Sequence, residues 1–195
     1  MSLNLVDDVF PPLSLCMLTG HIKVLHMRIS GIGYDRKNQT TNEEELTECV
    51  KDQQNLYELC NLINEVIELP MLVQFTVTAI NVALGLVAML FVAKDIFSIL
   101  YYVFYLFGIL MQTFPTCYFG SNFEFMFDEL LQAIYSSNWL MQSPEYKKHM
   151  ILFMQRALKK RPAYAGGILR IHLDTFFSTC KAAYSVFAMV WQLKN

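Results

Sequence analysis

The sequence predicts an all-α integral membrane protein, and three observations lead there. Of its 195 residues, 54% are hydrophobic, 14% aromatic and only 16% charged, whereas a soluble domain carries about a quarter charged residues. Two long stretches, Leu69 to Ala93 and Ile96 to Phe119, contain no formal charge. The last 33 residues before Asn195, Pro162 to Lys194, form a third apolar run with Arg170, His172, Asp174 and Lys181 set into it. Such ionisable groups within a span face a bundle interior or a water-filled path.

Residues 1–30 resemble the end of a truncated membrane helix, since the apolar part of residues 9–29 is short and broken by Phe10-Pro11-Pro12. The start, Met-Ser-Leu-Asn-Leu-Val-Asp-Asp, shows no basic segment leading into an apolar one, so no signal peptide is expected. His21 and His26 are five apart, which points them away from each other on a helix and makes a poor metal pair. Residues 31–68 are a polar loop, with an Asn38-Gln39-Thr40 sequon, and then an amphipathic helix capped at Asn42. Along that helix Leu46, Cys49, Gln53, Tyr57, Cys60, Ile63 and Ile67 recur every three or four positions.

Residues 69–93 are the first full span, about 37 Å long as a helix, with Pro70 near its start. Its Gln74, Thr78, Asn81 and Gly85 form a small-and-polar row of the kind that packs helices together. Residues 96–119 are the second span. Tyr101, Phe104, Tyr105 and Gly108 are its candidates for an aromatic ligand surface, because small-molecule sites combine apolar walls with a few hydroxyls. Residues 120–162 are amphipathic again. Phe123, Phe127, Leu130, Ile134 and Trp139 mark one face, with Glu124, Asp128, Glu129 and Gln132 elsewhere around the helix. Ser143-Pro144-Glu145 starts a further helix.

Residues 163–191 are the third span, with a short tail, 192–195, after it. At 100° per residue, Arg170, Asp174, Ser178, Lys181, Ser185, Ala188 and Gln192 fall within an arc of about 80°. This polar stripe is expected either to line water or to pack against other helices, with Arg170 and Asp174 as an i, i+4 pair.

Charge placement sets the expected orientation. Lys23, Arg28, Arg36, Lys37 and Lys51 precede the first span, and Lys147, Lys148, Arg156, Lys159, Lys160 and Arg161 lie between the second and third. Only Lys94 and Lys194 occupy the other side. Positive residues favour the cytoplasm, so both amphipathic regions are expected inside and the C-terminus outside. The five cysteines show no CxxC or metal-ligand spacing, so no disulfide framework and no metal are expected. Neither paired catalytic carboxylates nor a nucleophile–base set nor a phosphate loop is present, so no enzyme, no cofactor and no nucleic-acid partner are expected.

Several segments together resemble successive signatures of a single membrane-protein family. Leu15-Cys-Met-Leu-Thr-Gly-His-Ile-Lys-Val-Leu25 is similar to the cytoplasmic end of the family's fourth helix. Glu48-Cys-Val-Lys-Asp-Gln resembles the patch before its fifth. Cys117-Tyr-Phe-Gly120 resembles the end of the sixth helix, and Ala133 to Trp139, with its Tyr135-x3-Trp139 pattern, resembles the signature just beyond that helix. Arg161-Pro162, Tyr164-Ala-Gly166 and Tyr184-Ser-Val-Phe187 resemble the seventh-helix signature. Taken together these segments resemble the insect odorant receptors, and the position of Gln192 and Leu193 favours the odorant over the gustatory branch.

The resemblance implies the end of helix 4 plus helices 5, 6 and 7 of a seven-helix receptor, that is, its C-terminal half. It implies an odorant-gated, non-selective cation channel built with a coreceptor as a heteromeric tetramer. Its expected ligand is a small volatile apolar molecule, and its expected place is the plasma membrane of olfactory sensory neuron dendrites. Met189 would form the constriction, with Ser185, Gln192 and Leu193 beside it. The signature residues Tyr135, Trp139, Pro162, Tyr164, Gly166 and Tyr184 would serve assembly through the cytoplasmic anchor and the last helix. The alternatives are a G-protein-coupled receptor-like fragment, with its C-terminus inside, and a truncated product that only affects receptor assembly.

Overall fold

A computed structural model of the protein describes residues 2–34, 39–92, 95–159 and 161–194. The elements occur in the order α1 (Ser2–Gly31), α2 (Gln39–Phe91), α3 (Ile96–Ser136), α4 (Pro144–Ala157), β1 (Tyr164–Ala165), β2 (Leu169–Arg170) and α5 (Leu173–Lys194). Two units divide the chain. Unit 1 comprises Met1–Pro12, Val66–Gly120 and Ala163–Asn195, and unit 2 comprises Leu13–Glu65 and Ser121–Pro162.

Polarity changes sharply near Leu69 and Phe119, where the sequence predicts boundaries, yet the backbone hydrogen bonding continues through both. Helix α2 is 53 residues long, about 80 Å at 1.5 Å per residue, against about 30 Å of bilayer hydrocarbon. A bilayer can therefore hold only part of it. Among the described residues, α2 and α3 are the two helices long and apolar enough to cross a membrane. Pro70 lies inside α2 rather than at a helix start, and Pro115 lies inside α3.

Unit 2 is a helical core whose buried rows keep a spacing of three or four. Leu15, Leu18, Ile22, Leu25 and Ile29 come from α1, and Leu46, Cys49, Gln53, Leu56 and Cys60 from α2. Phe123, Phe127, Leu130 and Ile134 of α3 and Tyr146, Met150, Phe153 and Ala157 of α4 complete it. Asn42 does not cap α2. The helix starts at Gln39, and the buried Asn42 amide donates to Gln142 Oε1 at 3.2 Å. The predicted start of α4 is found: Ser143 is its N-cap, Pro144 its first residue, and the Ser143 hydroxyl accepts the Tyr146 N–H at 3.1 Å. Arg28 on α1 pairs with Asp52 and, at 3.3 Å, with Glu48 on α2. Glu124, expected away from the apolar face, is buried.

Unit 1 is closed by a feature that helical periodicity does not predict. Residues 164–170 form an antiparallel hairpin, with Tyr164 opposite Arg170 and Ala165 opposite Leu169. Gly166 and Gly167 turn the chain at φ of 61° and 64°, values that a right-handed helix excludes and that glycine takes without steric cost. The third helix therefore begins at Leu173, and Arg170 belongs to β2 rather than to the helical stripe. The hairpin is fixed to α2 by the Gly166 N–H, which donates to the Glu68 carbonyl at 2.9 Å. At the far side, Gly120 of α3 sits against the Ile171 carbonyl so closely that a Cβ there would collide with it.

Candidate functional site

Helix α5 carries most of the residues singled out in the sequence. Its start is set by His172, whose Nδ1 accepts the Asp174 N–H at 3.2 Å when that nitrogen is unprotonated. The same Nδ1 lies 3.1 Å from the Asp174 carboxylate, with which it pairs when protonated. The Asp174 carboxylate thus lies beside His172 at the start of α5. The Thr175 hydroxyl donates to the Arg170 carbonyl at 2.6 Å, tying the hairpin to the first turn.

From Leu173 onward the chain is helical, and the two sides of α5 differ. Ala183 is buried. The Phe176 ring stands edge-on to Phe114 of α3, with centroids 5.7 Å apart. Phe176, Thr179 and Cys180 face Phe75 and Thr78 of α2 and Leu110 and Thr113 of α3 around a gap of about 10 Å³. That is room for no more than about one water. Beside it the Thr78 and Thr113 hydroxyls lie 3.2 Å apart and exchange a buried hydrogen bond. Gly85 presses on Leu106, where a Cβ would come within 2.8 Å. The Thr78 and Gly85 row is therefore a helix seam, as small residues in spans usually are.

The opposite side of α5 is open. Asp174, Ser178, Lys181, Ser185 and Gln192 are all exposed, and they share an arc of about 60°. Met189 borders this arc and is 63% exposed. Ser185, Met189 and Gln192 therefore lie together along one side, while the Leu193 side chain is outside the described residues. Asn38, the first residue of the sequon, and Lys94 are outside them as well.

The aromatic candidates lie on one side of α3. The Tyr101 and Tyr105 rings stack with centroids 6.5 Å apart and planes 11° apart. Tyr101 and Phe104 are each 66% exposed, and a Cβ at Gly108 would meet nothing within 4 Å. These four residues form an open aromatic wall rather than an enclosed pocket.

The signature residues are dispersed. Tyr135 is exposed near the end of α3, and Trp139 is half-buried in the turn beyond it. Pro162 and Tyr164 are half-buried, Gly166 turns the hairpin, and Tyr184 is exposed on α5 with its ring 6.2 Å from Phe187. What the sequence reading missed is the hairpin, and the adjacent pair Gly166-Gly167 was its signal.

The Cys49 and Cys60 thiols of unit 2 are buried. Burial first, and nearby carboxylates second, push Cys49 up to about 11 against the opposing pull of Arg28. Burial pushes Cys60 up to about 12 and the Tyr57 hydroxyl to about 12. All five cysteines are free. Among the described residues, no group of three His, Cys, Asp or Glu side chains converges as a metal site.

Comparison with known proteins gives these features a family. The profile of the 7tm odorant receptors matches residues 1–184. Odorant receptor 59a of Drosophila melanogaster is 39% identical over 98% of this chain and 52% of its own length. Odorant receptor 23a is 38% identical over 94% of this chain and 48% of its own, and odorant receptor 33a is 36% identical over 95% and 50%. The chain spans about half the length of the curated relatives it matches. Matched by the family profile along nearly all of its residues, and carrying two helices apolar enough to span a bilayer, the chain belongs to the 7tm odorant receptor family and is a membrane protein of a receptor family, not an enzyme.

Proposed function

We propose that this chain supplies the pore-lining, C-terminal half of an odorant-gated cation channel subunit. The observation that carries the reading is the two-sidedness of α5. One side packs on α2 and α3, while the other presents Asp174, Ser178, Lys181, Ser185 and Gln192 to the outside of the chain. Helix α5 is less apolar than the most apolar stretches of α2 and α3, and polar groups at membrane depth are costly unless they face water or protein, so this side is best used along an aqueous path shared with neighbouring subunits. A heteromeric tetramer with the family's coreceptor provides such neighbours. The charge distribution supports a plasma-membrane orientation with both amphipathic regions cytoplasmic and the C-terminus outside. The dendrites of olfactory sensory neurons are the cellular setting that this role requires.

In this reading a small apolar volatile settles against the aromatic wall of Tyr101, Phe104 and Tyr105, completed by helices that precede this half in the whole receptor. A ligand shifts a closed–open equilibrium only by its difference in affinity between the two states. The shift moves α5 and withdraws Met189 from the constriction. Met189→Ala in the full-length receptor, expressed with its coreceptor, is expected to raise basal current severalfold. Unchanged basal current and unchanged ion selectivity would remove Met189 from the gate.

A further inference from the structure

Unit 2 contains a cleft of about 470 Å³ lined by Gln54, Tyr57, Glu58 and Asn61 of α2 and by Arg156, Lys159 and Arg161 of α4 and its extension. We propose that this cleft binds a polyanionic phosphate group, as carried by a multiply phosphorylated inositol headgroup. The site lies outside the odorant-gated pathway proposed above, and its occupancy needs neither odorant nor coreceptor.

The cations are placed and oriented by neutral groups. The Arg161 guanidinium donates to Asn61 Oδ1 at 3.0 Å and stands 5.7 Å from the Tyr57 ring centroid. With the Gln54 amide turned so that its oxygen rather than its nitrogen faces them, the Arg156 guanidinium nitrogens lie 2.5 and 2.8 Å from that oxygen. The Arg156 carbonyl accepts the Tyr57 hydroxyl at 2.9 Å, which fixes the end of α4 against α2. Asn61, Gln54 and the Tyr57 ring orient these guanidiniums without neutralising them. Elsewhere in the same unit the contrast is plain, because Arg28 is held by two carboxylates, Asp52 and Glu48. Among the described lining residues of the cleft, three cations face a single carboxylate, Glu58.

Guanidinium groups with spare N–H donors are suited to phosphate, which accepts paired, charge-assisted hydrogen bonds. A cleft of this size admits a headgroup with several phosphates. In the sequence, the charge-free stretch that begins at Leu69 follows Asn61 by eight residues. Basic pockets beside membrane helices on the cytoplasmic side are where phosphorylated headgroups bind.

The test uses the full chain in detergent micelles and the fluorescence anisotropy of a labelled short-chain phosphatidylinositol bisphosphate. Arg156→Gln with Arg161→Gln should weaken binding on the order of tenfold for each guanidinium lost. Arg28→Gln should leave it unchanged. Glu58→Gln removes the opposing charge and should tighten binding about two- to fivefold, a gain that misfolding cannot produce. Labelled phosphatidylserine should bind far more weakly than the bisphosphate. Displacement by soluble inositol trisphosphate would assign the site to a free phosphate ligand. Lipid binding without that displacement would assign it to the membrane headgroup. Equal binding by the wild type and the double variant, no gain in Glu58→Gln, or equal binding of phosphatidylserine would each overturn the proposal. None of these results bears on the gate at Met189.

Discussion

An alanine at Gly166 would meet two obstacles at once. Its φ of 61° lies in the left-handed region, and its Cβ would approach the Leu72 side chain at 2.6 to 3.1 Å. The backbone alone disfavours this by about 1–2 kcal/mol, so Gly166→Ala should lower stability by at least about 1 kcal/mol in denaturant unfolding of the detergent-solubilised chain. Gly20 is the opposite case, being helical with nothing within 4 Å of an added Cβ. Gly20→Ala should raise stability by about 0.5–1 kcal/mol. If both changes moved stability in the same direction, the contrast between the two backbones would be mistaken.

The thiols supply a second residue-scale prediction. Cys49 moves from an ordinary 9.0 to about 11 on folding, and Cys60 from 9.0 to about 12. Between those values the folded chain keeps protons that the unfolded chain has given up, so stability falls as pH rises. Their contribution is complete below about pH 9 and is lost as pH climbs through about 11 to 12. Melting measured between pH 8 and 11 should decline less steeply in a Cys49→Ala, Cys60→Ala variant than in the wild type. Equal slopes would show that the two thiols do not govern the alkaline limit.

At the scale of elements, α4 is the helix whose start the sequence states most fully. The run Ser143-Pro144-Glu145 offers an acceptor, a residue that needs no N–H partner, and an acid near the positive end of the helix. The structure uses the serine twice, since its hydroxyl accepts the Tyr146 N–H and also donates to Glu43 of α2. Ser143→Ala should cost about 1 kcal/mol, read from the unfolding midpoint, and a neutral result would mean that the cap is redundant.

The rows Phe123, Phe127, Leu130, Ile134 and Tyr146, Met150, Phe153 were equally legible, because side-chain burial repeats with the helical period. Three things were not. A two-residue strand pair has no period to detect, so β1 and β2 showed only through their glycines. The change in polarity near Leu69 and Phe119 marks span boundaries but not helix ends, because a backbone hydrogen-bond ladder is indifferent to polarity, and α2 and α3 run on through both. The surroundings of Tyr101 and Phe104 depend on what packs over them, which local sequence does not encode.

On the scale of the whole molecule, the orientation proposed from the basic residues has a direct measurement. An epitope placed after Asn195 should be reached by antibody on intact cells expressing the chain, while Asn38 remains without glycan. A hidden epitope together with a glycan on Asn38 would invert the topology and bring the G-protein-coupled reading forward. The same inversion would move the cleft around Arg156 and Arg161 away from inner-leaflet lipids while leaving its affinity for soluble phosphates intact.

The unbroken course of α2 also bears on which changes of length the protein can accept. One helix carries Cys49, Gln53 and Cys60 into the core of unit 2 and Met71, Phe75 and Val82 into that of unit 1. Adding a single residue between Met71 and Phe75 would rotate Phe75 and Val82 by about 100° relative to Met71, swinging them out of the buried row of unit 1. Seven added residues would return the row to within about 20° of its phase, but would displace it by about 10 Å. No small insertion preserves both phase and position. Among homologous receptors, gained or lost residues should therefore gather in the connections between helices, leaving the interior of α2 constant in length.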